Sequence, residues 1–230
     1  MGGEGVKITA AELAGVIDHT LLKPEATFKQ ISVLCQEAAD HGFKAVCLNP
    51  SYVAFASREL NRVPVLVCSV IGFPLGASQS RIKAAEAALA VSSGAKEVDV
   101  VMNVGYFKSG MLKETAEDLR EVTSQAKQED PSAIVKVILE TCLLTDEEKK
   151  TACRLVVDAG GDYVKTSTGF NMSGARAEDI RLMRQAAGPN IGIKAAGGIR
   201  NLAAAVSMLE AGADRLGTSA SVSIIKEILL

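Results

Sequence analysis

One pattern recurs eight times along this chain: a short apolar run followed by a longer amphipathic stretch. Several of the runs are continuous Val/Ile segments, as expected of parallel strands that are buried on both faces. Strands that alternate with helices predict βαβ units and a parallel sheet. The apolar runs are Val16–Thr20, Ala45–Leu48, Val65–Ile71, Val98–Asn103, Ile134–Glu140, Tyr163–Ser167, Ile191–Ala196 and Arg215–Thr218.

The segments between the runs carry helix boundary signals. Asn49-Pro50 offers a capping residue followed by a proline at the first helical position. Thr145 with Glu148 forms the sequence pattern of a capping box. Glycines follow the helix-like stretches where a left-handed residue is wanted, and each precedes the next strand. These glycines are Gly42, Gly94, Gly160 and Gly212.

Eight strand–helix units in 230 residues predict closure into a (β/α)₈ TIM barrel with parallel strands. An open doubly wound sheet is the alternative, but it usually has a GxGxxG motif after its first strand, and the sequence lacks one there. No linker or change of composition divides the chain. We therefore expect a single domain that spans residues 1–230.

Composition excludes several classes of function. The net charge is −2 and no Lys/Arg run stands out, so a nucleic-acid partner is not expected. No apolar stretch has the length of a membrane span, and Met1–Lys7 lack the pattern of a secretory signal. The five cysteines are odd in number and lack CxxC spacing, and the chain has only two histidines. We expect reduced thiols, a cytoplasmic location and no metal site.

Charged residues interrupt four otherwise apolar strands. Because side chains alternate along a strand, and the neighbours of each charged residue are apolar, the charged side chains should point into the barrel. Glu140 shares the parity of one of them and should also point inward. A buried structural salt-bridge cluster is the alternative, but three lysines against two carboxylates would be an unbalanced set. The four strand residues are Asp99, Lys136, Lys165 and Lys194.

A lysine in such a site can act as a nucleophile. A lysine attacks a carbonyl only when it is neutral, and a second ammonium nearby and burial both favour the neutral form. We expect Lys194, on the next strand, to supply that charge to Lys165. Asp99 would oppose the effect if it lay closer to Lys165, so we expect it to pair with Lys194 or to hold a water molecule.

Three loops late in the chain are typical of anion binding. They follow the sixth, seventh and eighth strands, and barrels often bind phosphate with the last two of these loops and a helix N-terminus. Their glycines let backbone N–H groups approach an anion, and their hydroxyls add donors. The loop residues are Thr168, Gly169, Gly197, Gly198, Gly217 and Ser219.

Most of the residues named above lie in motifs, spread along nearly the whole chain, that resemble the deoxyribose-phosphate aldolase family in its short bacterial form. The motifs are Ile17-Asp18-His19-Thr20-Leu21-Leu22-Lys23-Pro24, Glu97-Val98-Asp99-Val100-Val101-Met102-Asn103, Val135-Lys136-Val137-Ile138, Val164-Lys165-Thr166-Ser167-Thr168-Gly169 and Ile193-Lys194-Ala195-Ala196-Gly197-Gly198-Ile199. The resemblance implies a metal-independent class I aldolase without a cofactor, which reversibly cleaves 2-deoxy-D-ribose 5-phosphate to acetaldehyde and D-glyceraldehyde 3-phosphate.

The resemblance also implies roles for individual residues. Lys165 corresponds to the Schiff-base lysine, and Asp99 and Lys194 to the residues that donate and accept protons. The supporting residues would be Asp18, Thr20, Lys136 and Cys47, and the late glycine–serine loops, with Ser219 most prominent, would bind the phosphate. Some family members end in a tyrosine that can reach the site, whereas this chain ends Ile228-Leu229-Leu230. The parity of His19 directs it to the helix layer, so we expect it to have a packing role.

Three other functions remain open at this point: another Schiff-base barrel such as a transaldolase-like or ketose-bisphosphate aldolase, a pyridoxal-phosphate-binding barrel, and a catalytically silent barrel. The intact set of Lys165, Lys194 and Asp99 argues against the last. We expect a small phosphorylated sugar as substrate and a homo-oligomer, either a dimer or a tetramer.

Overall fold

The strands of the computed structural model, which describes residues 8–229, form one closed parallel barrel in the order β1 to β8. Met1–Lys7, on which the expectation about a secretory signal rests, and Leu230 lie outside the described residues. The (β/α)₈ barrel predicted from the sequence is confirmed. The strands are β1 Ile17–Leu21, β2 Ala45–Leu48, β3 Leu66–Ile71, β4 Glu97–Val101, β5 Ile134–Ile138, β6 Tyr163–Lys165, β7 Gly192–Ala196 and β8 Arg215–Thr218.

Helices surround the barrel and bury their apolar faces on the outward side chains of the strands. The helices are α1 Ala10–Ala14, α2 Phe28–His41, α3 Val53–Glu59, α4 Ser80–Ser92, α5 Val104–Lys108, α6 Leu112–Glu129, α7 Asp146–Asp158, α8 Ala177–Ala187, α9 Leu202–Glu210 and α10 Ser221–Ile228. Short 3₁₀ turns span Pro50–Tyr52 and Thr141–Leu143. In the described part of the chain, no helix is both long enough and apolar enough to cross a membrane.

Most of the boundary signals in the sequence have the expected geometry. The side chain of Thr145 accepts from the backbone N–H of Glu148, and the Glu148 side chain accepts from that of Thr145, which completes the capping box. Gly42, Gly94, Gly160 and Gly212 all have positive φ angles. Asn49-Pro50 is different, because Pro50 starts a 3₁₀ turn and the Asn49 side chain makes no capping hydrogen bond.

Six strands have limits that differ by one or two residues from the predicted runs, and the differences in β4 and β5 bear on the barrel interior. β4 begins at Glu97, one residue before the predicted start, which adds a second inward-facing carboxylate to this strand. β5 ends at Ile138 and not at Glu140, because the backbone of Glu140 is left-handed, with φ 57° and ψ 62°. Glu140 therefore leaves the sheet instead of continuing its alternation.

Candidate active site

Seven charged side chains meet inside the barrel, and we call them the charged cluster. They come from six strands, and all are buried. Strand register brings them together, since Asp99 pairs with Lys136 and Lys165 pairs with Lys194 across adjacent strands. The members are Asp18, Glu97, Asp99, Lys136, Lys165, Lys194 and Arg215.

Asp99 is the centre of this cluster. Its Oδ2 atom accepts hydrogen bonds from Nζ of Lys165 at 2.6 Å and from Nζ of Lys194 at 2.7 Å. Its Oδ1 atom accepts from Nζ of Lys136 at 2.8 Å. One carboxylate thus joins three lysines from three neighbouring strands, and a single oxygen atom separates the amines of Lys165 and Lys194.

The other two carboxylates complete the pairing below Asp99. Asp18 accepts from Lys194 and, at 2.6 Å, from Nη1 of Arg215. The Arg215 guanidinium also donates to both oxygens of Glu97, at 3.0 and 3.1 Å. Lys136 lies 2.7 Å from Glu97. Every carboxylate of the cluster therefore contacts at least two cations.

Charge counting separates Lys165 from the other cations. Lys136, Lys194 and Arg215 balance Asp18, Glu97 and Asp99, three against three. Lys165 is the fourth cation if it is protonated. When Lys165 has released its proton, the three remaining cations balance the three carboxylates and the cluster carries no net charge. This balance matters because a buried charge is costly unless it is paired.

The same contacts shift the pKa values of three members of the cluster. Burial raises the pKa of Asp18, but Lys194, Lys136 and Arg215 outweigh burial and lower it to about 2. Burial also opposes ionisation of Asp99, yet Lys136, Lys165 and Lys194 hold its pKa well below its ordinary value. Burial lowers the pKa of Lys194, and Asp18 and Asp99 reverse this and raise it. Lys194 is therefore an ammonium group at neutral pH.

One expectation about the cluster was incomplete and another was wrong. Asp99 pairs with Lys194 as expected, but the same oxygen atom also accepts a hydrogen bond from Lys165. Glu140 does not join Lys136, because its left-handed backbone turns it towards Thr168. Sequence reasoning also missed Glu97 and Arg215. The signal for Glu97 was its parity with Asp99, two residues further along the strand.

A cavity of about 250 Å³ opens above the cluster at the carboxyl ends of the strands. Among the described residues, Lys165 is the one lysine of the cluster that lines it. All six residues predicted to bind phosphate also line this cavity, together with Thr20. Lys23 and Arg200, to which the sequence gave no role, add two cationic side chains to the wall.

The late loops do not all keep free donors for an anion. Gly169, Gly197 and Gly198 have φ angles of 85°, 88° and 77°, which only glycine adopts easily. Thr168, in contrast, uses both its N–H and its hydroxyl to bond Glu140. Its predicted role as a direct phosphate ligand is therefore not supported by its hydrogen bonds.

The remaining predicted residues lie around the cluster. Thr20 faces the cavity, and its hydroxyl donates to the backbone oxygen of Asp18 at 2.8 Å. The thiol of Cys47 is 3.9 Å from Asp99 Oδ2, and that of Cys68, which the sequence did not single out, is 3.2 Å from Oδ1. His19 lies in the helix layer, as its parity predicts, and contacts Glu37 at 2.8 Å.

Cys47, Cys68 and Asp99 also hold their potential ligand atoms within 4.8 Å of one another. Sequence spacing gave no sign of this group. The carboxylate of Asp99 already accepts hydrogen bonds from three lysine amines, and the positive charges of Lys136 and Lys194 oppose a further cation at the same place. The donor set therefore fits a metal poorly, and metal independence stays a prediction.

Comparisons with known proteins agree with this geometry. Residues 13–224 match the family model described as DeoC/LacD family aldolase. The chain is 53% identical over 222 residues to the deoxyribose-phosphate aldolase of Carboxydothermus hydrogenoformans, covering 96% of this chain and 97% of that one. It is 50% identical over 216 residues to the enzyme of that name from Clostridium tetani, covering 94% and 99%.

A solved structure gives the same result. The tetrameric deoxyribose phosphate aldolase from Aeropyrum pernix superimposes with a TM-score of 0.89 at 36% identity, covering 96% of this chain and 92% of that one. Family model, sequence relatives and solved structure agree over nearly the full length. The chain belongs to the DeoC/LacD family of aldolases.

Proposed function

We propose that this chain is a deoxyribose-phosphate aldolase, a lyase that reversibly cleaves 2-deoxy-D-ribose 5-phosphate to acetaldehyde and D-glyceraldehyde 3-phosphate in deoxyribonucleotide catabolism. The observation that carries the proposal is the place of Lys165. It lines the cavity beneath the glycine loops and touches Asp99, whereas Lys136 and Lys194 lie below it. An amine at the floor of a cavity of about 250 Å³ is suited to attack the aldehyde of a bound sugar phosphate.

The first half of the reaction forms the Schiff base. Neutral Lys165 adds to C1 of the open-chain sugar, and the C1 oxygen leaves as water after protonation. Asp99 and Lys194 lie within hydrogen-bond distance of the Lys165 amine or of each other, so they can carry the protons that the amine releases and the hydroxyl takes up. The resulting iminium places a positive charge on the Lys165 nitrogen, which was neutral before the reaction.

The second half breaks the carbon–carbon bond. Loss of the C3 hydroxyl proton lets the C3–O pair form a carbonyl while the C2–C3 electrons move into the iminium. D-glyceraldehyde 3-phosphate leaves, and an enamine stays on Lys165. Protonation at C2 and hydrolysis of the new iminium then release acetaldehyde. The charged cluster contains no tyrosine, so in this proposal Asp99, Lys194 and water supply these protons.

The glycine loops anchor the distal phosphate in this proposal. Gly169, Gly197, Gly198, Gly217 and Ser219 line the cavity, and we assign their backbone N–H groups and the Ser219 hydroxyl as phosphate donors. Lys23 and Arg200 also line the cavity and add positive charge. This remote binding energy holds C1 against Lys165 and the reacting carbons in place.

We further propose that residues 1–230 form one aldolase domain, with the eight-stranded closed barrel as support. A homo-oligomer, dimer or tetramer, is supported by exposed apolar side chains on α4, where Ile82 and Leu89 are 55% and 67% exposed. The Aeropyrum pernix relative is described as tetrameric. A cytoplasmic location is supported by five free cysteines.

Product analysis tests the proposed function. Purified protein should release acetaldehyde and D-glyceraldehyde 3-phosphate in equal amounts from 2-deoxy-D-ribose 5-phosphate. It should do so without added pyridoxal phosphate. Cleavage of a ketose bisphosphate, or transfer of a three-carbon unit between sugars, with no acetaldehyde from the deoxy sugar would instead place the chain in another Schiff-base class.

A further inference from the structure

Glu140 has a backbone conformation that its side chain disfavours. It follows the end of β5, and it is the one residue other than glycine within residues 8–229 that has a positive φ. The left-handed region brings the Cβ of an L-residue close to the following carbonyl oxygen. Such strain persists only where the surroundings over-determine it, and the carboxyl ends of barrel strands are where functional residues lie.

The carboxylate of Glu140 is also buried in an unusual way. The residue is only 4% exposed, yet within residues 8–229 no lysine or arginine forms an ion pair with it. Its hydrogen bonds come from a single residue: Thr168 donates its N–H to Oε1 at 3.2 Å and its hydroxyl to Oε2 at 2.5 Å. The carboxylates of the charged cluster, by contrast, each contact at least two cations.

Both hydrogen-bond donors of Thr168, its backbone N–H and its hydroxyl, are used in these contacts. While its hydroxyl donates to Glu140, the same oxygen accepts from the N–H of Phe170 at 3.1 Å. Thr168 follows Lys165 by three residues and lines the cavity. Glu140 therefore fixes the path of the chain between Lys165 and Phe170.

This path decides where two anion-binding loops meet. A Cβ built on Gly197 would lie 3.4 Å from Cα of Gly169 and 3.0 Å from Cα of Gly174. The N–H of Ala175 donates to the Gly197 oxygen at 3.0 Å. The loop after β6 thus packs directly on the glycines of the loop after β7. Any shift of Thr168 would move Gly169 against Gly197.

We infer that Glu140 is a positioning residue for the phosphate end of the cavity, which acts through Thr168 to hold Gly169 against the Gly197–Gly198 loop. The inference rests on the proposed function for its substrate. Glu140 does not touch the phosphate itself in this account. Its carboxylate accepts two hydrogen bonds from Thr168, and these set the spacing between the loops after β6 and β7.

Glu140→Gln and Thr168→Val test this role. Gln keeps the size of Glu140 but presents an NH₂ group to one of two Thr168 donors, and Val removes only the Thr168 hydroxyl. We expect Glu140→Gln to weaken binding of inorganic phosphate, measured by calorimetry, and to raise KM for 2-deoxy-D-ribose 5-phosphate, each on the order of tenfold. Thr168→Val should have the same effects at smaller size. For unphosphorylated 2-deoxy-D-ribose, kcat/KM should change by less than about twofold.

Asp118→Asn is the matched control. Asp118 is equally buried and bonds Lys83 at 2.6 Å, but it lies on α6, away from the cavity. This variant should have a lower melting temperature, but the ratio of its kcat/KM values for the phosphorylated and unphosphorylated sugars should not change. If Glu140→Gln and Asp118→Asn behave alike, Glu140 has only a structural role and the inference is wrong.

Two further outcomes are decisive. Tighter phosphate binding by Glu140→Gln would mean that the carboxylate acts as a repelling charge, which overturns the positioning role. Wild-type protein that binds phosphate in a Glu140-dependent way but cleaves no deoxyribose 5-phosphate would support the inference while refuting the proposed function.

Discussion

Asp99 accepts hydrogen bonds from three lysine amines, and one of its oxygen atoms joins Lys165 to Lys194. The loss of Lys194 should therefore be the most informative change in the cluster. In Lys194→Leu, the positive charge of Lys194 is lost and Asp99 Oδ2 keeps Lys165 as its lysine partner. The carboxylate of Asp99 should then favour the protonated form of Lys165 more strongly. Turnover should fall by on the order of a hundredfold or more, and the optimum for imine formation should move to higher pH. Steady-state rates and borohydride trapping across pH measure both effects.

The matched control for this variant is Lys83→Leu. Lys83 is also fully buried and bonds Asp118, outside the barrel interior. Breaking either buried pair should cost about 3–5 kcal/mol of stability. Only Lys194→Leu should lose activity per folded molecule. Wild-type turnover and an unmoved pH profile in folded Lys194→Leu would assign Lys194 a structural role alone.

His19 gives a prediction about stability and pH. Burial lowers the pKa of His19 below its ordinary value of 6.5, although Glu37 acts in the opposite direction. As the pH falls below about 6.5, the unfolded chain binds a proton that the folded chain refuses, so the free energy of unfolding should decrease. Urea unfolding between about pH 7.5 and 5.5 measures this slope.

His19→Gln should flatten that slope, since the side chain no longer titrates. His41 is the other histidine of the chain, and its effect on the pKa of His19 is smaller than that of burial. His41→Gln therefore serves as the control and should keep most of the slope. Equal slopes in wild type and His19→Gln would exclude His19 as the source.

At the scale of elements, the contact between the loops after β6 and β7 predicts a steric effect. A Cβ on Gly174 would lie 2.1 Å from the backbone oxygen of Gly197, so Gly174→Ala must push the loops apart. We expect KM for the phosphorylated sugar to rise about tenfold or more. Gly105→Ala on α5 is the control, because its Cβ meets nothing closer than 3.4 Å. Similar kinetics in both variants would argue against the packed-loop geometry.

The elements themselves were largely predictable, because local chemistry decides them. Continuous Val/Ile runs, the capping box at Thr145 and the glycines that follow four of the helices act within a few residues of where they occur in the sequence. The end of β5 was not predictable, because Glu140 leaves the sheet through contacts with Thr168, 28 residues away. Such contacts form only after the strands are adjacent.

The site shows the same division. Alternation along strands was sufficient to bring Asp99, Lys136, Lys165 and Lys194 together. It did not reveal that Asp99 bonds three lysines, since this depends on the stagger of neighbouring strands. Arg215 was missed because it is the first residue of its strand, where a charge normally marks a boundary.

For the whole molecule, we expect activity to be independent of metal. Although Cys47, Cys68 and Asp99 lie close together, the ammonium groups on Asp99 compete with any cation. Dialysis against EDTA should leave the rate of acetaldehyde release unchanged. Loss of activity that zinc restores would mean that the reaction class is wrong.

We propose that the substrate is carried on Lys165, and covalent trapping identifies the lysine that carries it. Borohydride added to the protein with acetaldehyde should attach an ethyl group to one lysine, which peptide mapping by mass spectrometry locates. We expect the label on Lys165, with none in a Lys165→Leu variant. A label on Lys194 or Lys136, with Lys165 unmodified, would contradict it.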